Sequence, residues 1–387
     1  MRHLIETGSA IRKMWSDGLR LKEAHGAENV ADMTLGNPMM PAPEVLTRAL
    51  AEVVAKPPAD LHRYTPSAGH PEFRTNIAAH LEASGLLPGA RAEHVVATAG
   101  ASAAVNVALR ALLDPGDEVV ILAPYFPDYP AHVMNHRGVS VIVQTGPDGL
   151  PDLDALAAAL TDKTRVLIVN HPNNPCGREY PAKTLESIAD LLGEQSRKNG
   201  RPVYLVADEP YREIRYRTEP FVSAARMYDH GLVAYSWSKS LCLPGERIGY
   251  LAVNPECPGA AEVVGAAALA NRILGFTNAP SLWQRVIARC PDACVDIAPY
   301  RRRRDLLIKV LRDRGYEVIE PEGTFYVFPK TPGGDDDAFV HGLMDDLLLV
   351  VPGGTFGRPG HFRIAFCSDD RSVDLAVERL PNVSGAR

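Results

Sequence analysis

One feature constrains the fold of this 387-residue chain more than any other: a rhythm of short apolar runs between residues 94 and 253. Seven recur: HVVAT (94–98), EVVIL (118–122), VSVIV (139–143), RVLIV (165–169), VYLVA (203–207), LVAYS (232–236) and IGYLAV (248–253). Between several of them lie segments with helical spacing, such as Val105, Leu109 and Leu112, or Leu185, Ile188, Ala189 and Leu192. Strands that alternate with helices predict an α/β fold, a mainly parallel seven-stranded sheet covered on both faces. The last two runs are separated by only about a dozen residues, near the minimum for a parallel crossover, so an antiparallel final strand is plausible.

After TNAPS (277–281) the pattern changes to a long helical stretch near 294–314, short strands expected at YEVIE (316–320), FYVFP, LLLVV and FRIAF, and a closing helix. This predicts a smaller α+β domain. The domains are placed at 49–284 for the large one, and at 1–48 plus 285–387 for the small one. With 46% hydrophobic and 23% charged residues the chain has enough apolar content for both cores. A net charge of −6 gives no electrostatic footprint for nucleic acid or an anionic membrane. The cationic run Arg301–Arg304 is read as a solvated helix surface. The charged N-terminal segment MRHLIETGSAIRKMWSDGLR lacks a signal-peptide core and no stretch approaches a membrane span, so cytoplasmic residence is expected. Six cysteines are scattered without a C-x-x-C pair, which suggests neither a disulfide framework nor a metal site.

Ligands of open α/β sheets bind beyond the carboxyl ends of the strands, so the residues there carry the functional argument. After HVVAT, Gly100, Ala101 and Ser102 open a helix, and small residues with free N–H groups suit a phosphate. After RVLIV comes the stiff turn NHPNNPCG with Asn170, Asn173 and Asn174. After VYLVA comes DEPY, where Asp208 ends a buried run and either caps a turn or meets a charged ligand. After LVAYS comes SWSKSLCLPGERIGY, which holds Lys239 between serines and Arg247 eight residues on. A lysine in a desolvated site beside another cation is suited to Schiff-base chemistry. With Ser236, Ser238 and Arg247 as phosphate-holding types, the combination points to pyridoxal 5'-phosphate, whose ring nitrogen needs an acidic partner.

These residues resemble a known family. SWSKSLCLPGERIGY, NNPCG, DEPY and FRIAF, with LGNP, YTPSAG and PYFPDY, occur in the order and spacing of fold type I pyridoxal-phosphate enzymes of the class I/II aminotransferase family. The resemblance runs through nearly the whole chain and implies a three-layer, aminotransferase-like large domain. It implies that Lys239 forms the internal aldimine and shuttles a proton between the substrate α-carbon and the cofactor. Asp208 would pair with the pyridine nitrogen, Asn174 and Tyr211 with the phenolic oxygen, and Phe126, or its neighbour Tyr125, would stack on the ring. Gly100, Ala101, Ser102, Ser236 and Arg247 would clamp the phosphate. Tyr64 would reach the phosphate of the neighbouring subunit in a homodimer. Arg363 would bind the substrate α-carboxylate, helped by Gly36 and Asn37.

The implied activity is transfer of an amino group between an L-amino acid and a 2-oxo acid. Elimination, replacement or cyclisation on the same fold would share these residues, so the motifs leave them open. A non-catalytic ligand sensor would need an extra module, whereas the roughly 90 residues before the first strand are already used by the LGNP and YTPSAG segments, and an NAD enzyme would need a glycine fingerprint that does not follow the first strand. The chain departs from the family in Cys176, within the Asn-Pro-x-Gly turn, and in Cys242, three residues past Lys239; both read as small packing residues. Arg272 lies where relatives that take dicarboxylates can place an arginine, which does not decide the substrate.

Overall fold

The computed structural model describes Met14 and residues 16–383. The N-terminal stretch read above for its missing leader core lies, through residue 13, outside the described residues. A short strand, β1 (Ala31–Asp32), precedes the main sheet. All seven apolar runs then form strands: β2 (Val95–Thr98), β3 (Glu118–Ala123), β4 (Val139–Gln144), β5 (Thr164–Asn170), β6 (Tyr204–Asp208), β7 (Gly231–Ser236) and β8 (Gly249–Val253). Their order across the sheet is β2-β8-β7-β6-β5-β3-β4. β8 runs antiparallel to both neighbours and every other pairing is parallel.

Alternation along the strands explains the layers. Val95, Ala97, Val120 and Leu122 point into one core with Phe73, Ile77 and Trp237, whereas Val96, Val119 and Ile121 point into another with Val105, Leu109 and Ala267. Successive strand side chains face opposite ways, so strands apolar at both parities must be covered on both faces. The helix Ala101–Leu112 covers one face and Pro71–Ala83 the other. β4 is an edge strand, which accounts for the exposure of Val139 and Ile142.

A separate core joins the two ends of the chain. Val30, Ala31 and Met33 pack with Tyr300, Phe325, Leu349 and Phe362. β1 pairs in parallel with β10 (Leu348–Leu349), while β9 (Tyr326–Val327), β11 (Val351–Pro352) and β12 (Phe362–Ala365) form a three-stranded antiparallel sheet in the order β11-β12-β9. The long helix is Ala298–Asp313 and the closing helix Asp370–Arg379.

Two expectations fail here. The run at 316–320 forms no strand: the Tyr316 amide turns back to Leu311 O at the helix end, and a single bond from the Lys330 amide to Glu317 O starts no ladder. The Arg301–Arg304 run is not a free surface either. Arg301 donates to Tyr216 O, Arg303 pairs with Asp370, and the Arg304 guanidinium lies 4.4 Å from the Tyr216 ring centre. Long arginine stems cover apolar surface while their heads find partners, so a charged run can serve as packing. Among the described residues no helix is long and apolar enough to cross a membrane, and no group of three or more His, Cys, Asp or Glu is placed to hold a metal.

Candidate active site

The sheet register assembles the site. Thr98 of β2 stands opposite Gly249 of β8, which stands opposite Ser236 of β7; Asp208 of β6 lies between Asn170 of β5 and Ala234 of β7. The functional ends of the strands thus share one edge of the sheet. Beyond that edge lies a cavity of about 300 Å³, roofed by Gly36, Tyr326 and Arg363 from the second body. Of the residues expected from sequence, Gly36, Ala101, Ser102, Phe126, Asn174, Asp208, Tyr211, Ser236, Ser238, Lys239, Arg247 and Arg363 line it.

At one end the helix Ala101–Leu112 points its N-terminus into the cavity behind Gly100, whose φ of 90° favours glycine. A Cβ there would also lie 2.8 Å from Arg247 Nη2. Arg247, itself left-handed with φ 52°, is held by bonds from Nη1 to Pro244 O and from Nη2 to Ala99 O, both 2.9 Å. An arginine and the unpaired N–H groups of a helix start make this end suited to an anion.

At the other end Asp208 is buried. Its Oδ2 accepts a 2.5 Å bond from Tyr129 Oη, while Oδ1 has no partner among the described residues. Burial pushes its pKa up to about 6, against the pull of the Tyr129 hydroxyl and Lys239. A buried carboxylate that lines a cavity with one acceptor unsatisfied is matched by a cationic N–H.

Between these ends, Lys239 follows β7 in a single helical turn and donates from Nζ to Gly36 O at 2.7 Å. Burial brings its pKa down to about 8, helped by the Arg363 and Arg247 cations and opposed by the Cys367 and Cys242 thiols. Arg363 is buried under the roof. Its Nη1 donates to Asn174 Oδ1 at 3.0 Å and Nη2 to Thr34 O at 2.5 Å, its Nε has no partner among the described residues, and its guanidinium lies 4.5 Å from the Tyr326 ring centre. The Tyr211 hydroxyl pairs with that of Tyr326 at 3.0 Å, and burial pushes it well above the usual tyrosine pKa.

Some expected residues stand elsewhere. Gly100 lies just behind the lining and Asn37 is exposed outside it. Tyr64 is 89% exposed, in a separate depression with Phe276 and Leu282. Tyr125 packs against Gly357, so of the two aromatic candidates Phe126 alone faces the cavity. Arg272 is exposed and away from the site. Cys176 is buried with its thiol 3.1 Å from Asn173 Oδ1, and Cys242 is half-buried near Tyr300 Oη.

Conversely, Tyr129, His132, Asn170 and Tyr326 line the cavity without having been assigned a role from sequence. Asn170 braces the site, donating to Asp208 O and accepting from the Asn174 amide, both at 2.8 Å. Tyr129 ends the quoted PYFPDY segment, and Tyr326 sits in FYVFP, so their positions were visible while the targets of their hydroxyls were not.

Comparison with known proteins shows the family. The family model for aminotransferase class I and II matches residues 28–380. The aspartate/prephenate aminotransferase of Thermus thermophilus is 33% identical over 371 residues, 93% of this chain and 92% of the relative. Among solved structures, an amino transferase from Eubacterium rectale superposes with a TM-score of 0.92 at 38% identity, covering 96% of this chain and 94% of that one. The Thermus thermophilus aspartate aminotransferase with maleate gives 0.85 at 30%, covering 96% and 95%. A match this long, over a strand order and a lysine segment already recognisable by themselves, leaves one conclusion: this chain is a transaminase and belongs to the class I and II aminotransferases, a family of pyridoxal-phosphate-dependent enzymes.

Proposed function

We propose that the cavity holds pyridoxal 5'-phosphate, bound through Lys239, and that Lys239 moves the proton that accompanies transfer of an amino group between an L-amino acid and a 2-oxo acid. The observation that carries this reading is buried Asp208, whose Oδ1 has no partner among the described residues, lining the same cavity as Lys239 and Arg363. When bound, the cofactor supplies an electron sink that makes the α-proton of an amino acid removable. Asp208 keeps a proton on the ring nitrogen, because its burial is tolerable only with a cationic donor against it. Ala101, Ser102, Ser236, Ser238 and Arg247 hold the phosphate, and Gly100 lets the helix start approach it. Phe126 contributes apolar contact to the ring, and Asn174 and Tyr211 supply donors for the phenolic oxygen. Arg363 binds the α-carboxylate with Gly36 at its side, which orients the α-C–H bond. Lys239, with its pKa near 8, then moves the proton at that carbon as base and acid.

The second part of the proposal is a homodimer in which Tyr64 reaches the partner's phosphate. Its 89% exposure on a single chain supports this reading. The two-domain division is also proposed; Met33 packs with Leu349, which favours placing the N-terminal segment in the small domain, whereas Trp283, Val286 and Cys290 pack in the large core.

The test is the absorption spectrum of protein reconstituted with pyridoxal phosphate, recorded before and after each amino acid. Aspartate comes first because it appears in the names of several relatives. Conversion to the pyridoxamine form, reversed by a 2-oxo acid and absent in Lys239→Ala, is expected. A donor that releases ammonia without needing an acceptor would move the assignment to elimination.

A further inference from the structure

A chain of polar side chains, His136, Asn106 and His132, leads to Ser102 at the anion end of the cavity, and the proposed function uses none of these three. His136 Nε2 lies 2.7 Å from Asn106 Oδ1, Asn106 Nδ2 lies 3.3 Å from His132 Nδ1, and His132 Nε2 lies 3.1 Å from Ser102 Oγ. His136 is buried, and His132 and Ser102 line the cavity. Each link needs one donor and one acceptor, so the proton positions are coupled. If His136 donates to the Asn106 carbonyl, the Asn106 amide must donate to His132 Nδ1. A neutral imidazole with Nδ1 accepting carries its proton on Nε2 and donates to Ser102 Oγ. The Ser102 hydroxyl proton is then free to point into the cavity. In the opposite polarity every bond reverses, and Ser102 spends its proton on His132. The orientation of the Asn106 amide corresponds to the first polarity.

Resting on the reading that the cavity takes pyridoxal phosphate, we propose that His132 is a positioning residue for its phosphate. It accepts from Asn106 and donates to Ser102, so that Ser102 presents a proton, not a lone pair, to the anion. The neutral tautomer suffices, and burial favours it: the His132 and His136 rings both have lowered pKa, opposed at His132 by the Asp128 carboxylate. Ser102 alone could rotate either way; the histidine removes that freedom before the ligand arrives, and preorganised donors bind anions more tightly than adaptable ones.

The test titrates apoprotein with pyridoxal phosphate, with pyridoxal and with inorganic phosphate, read by tryptophan fluorescence. His132→Ala is expected to weaken pyridoxal phosphate and inorganic phosphate by about tenfold, the scale of one hydrogen bond to a charged group, and to leave pyridoxal unchanged. His132→Gln, whose amide can still donate to Ser102, should retain most of the affinity and serves if the alanine variant does not fold. Adding Ser102→Ala to His132→Ala should cost little more, because both act on one bond. Equal losses for pyridoxal and its phosphate, full additivity of the two substitutions, or unchanged phosphate affinity in both histidine variants would overturn the role of His132. A wild-type chain that binds pyridoxal phosphate no better than pyridoxal would overturn the cofactor reading, and this inference with it.

Discussion

At the residue scale, the two groups at the centre of the site are held against their usual charge. Asp208 has its pKa raised from 3.8 to about 6 and Lys239 has its lowered from 10.5 to about 8, each by burial first. Between pH 3.8 and 6 the folded chain binds more protons at Asp208 than the unfolded chain, so stability falls as pH rises, and the full cost is present above 6. For Lys239 the unfolded chain binds more protons between 8 and 10.5, so stability rises with pH in that window. Apoprotein with Asp208→Asn should therefore melt above wild type at pH values over 6, the difference closing near pH 3.8. Lys239→Met should do so below pH 8 and lose the advantage by pH 10.5. Thermal melts across these ranges check both, and a destabilised Asp208→Asn at neutral pH would mean that the carboxylate is already compensated in the empty site. Asp208 and Lys239 could be singled out from sequence because a charge at the end of an apolar strand is conspicuous. Tyr129 and Tyr326 could not, since an aromatic beside apolar residues reads as core until the fold shows where its hydroxyl goes.

At the scale of elements, the main sheet was legible because its strands are buried on both faces and so read as unbroken apolar runs. The short spacing before β8 also carried its direction. The run at 316–320 misled for the converse reason: its β-branched residues fit a strand, but pairing depends on a neighbour that the sequence does not name. The Arg301–Arg304 run was misread because charge pattern records what a side chain carries, not what its stem covers. Register imposes a steric demand where β8 crosses the anion end of the cavity. A Cβ on Gly249 would lie 2.4 Å from Tyr235 O and 2.9 Å from Gly100 Cα. Gly249→Ala should thus lower stability by about 3 kcal/mol, the upper range for overpacking, and weaken cofactor binding as Gly100 shifts. A urea unfolding midpoint equal to wild type would show that the two backbones can part without loss.

At the scale of the whole molecule, the proposed site draws on two chains. Light scattering should give a mass about twice 42.0 kDa. A sharper check mixes Tyr64→Ala with Lys239→Ala after partial unfolding. Each homodimer should have little activity, whereas a hybrid carries one site with an intact lysine from one subunit and an intact tyrosine from the other. Activity should therefore reappear on mixing, approaching a quarter of wild type if the hybrid makes up about half of the dimers under random pairing. No recovery would place Tyr64 within its own subunit's structure. The sequence suggested this arrangement only through family resemblance, because one chain's surface pattern does not say what a tyrosine faces in its partner.

The pairing of β1 with β10, which ties residue 31 to residue 348, has a consequence for synthesis. Every cavity residue from Ala101 to Arg247 emerges from the ribosome well before β10 and Arg363. A nascent chain can therefore complete the sheet and its anion end while its first strand waits, unpaired, for a partner more than three hundred residues away. Loop closure over that distance is slow relative to local pairing. The roof is then the last part of the cavity to be completed, and a chain cut short before residue 348 would keep the strand-end residues of the cavity while lacking Arg363, the proposed carboxylate partner.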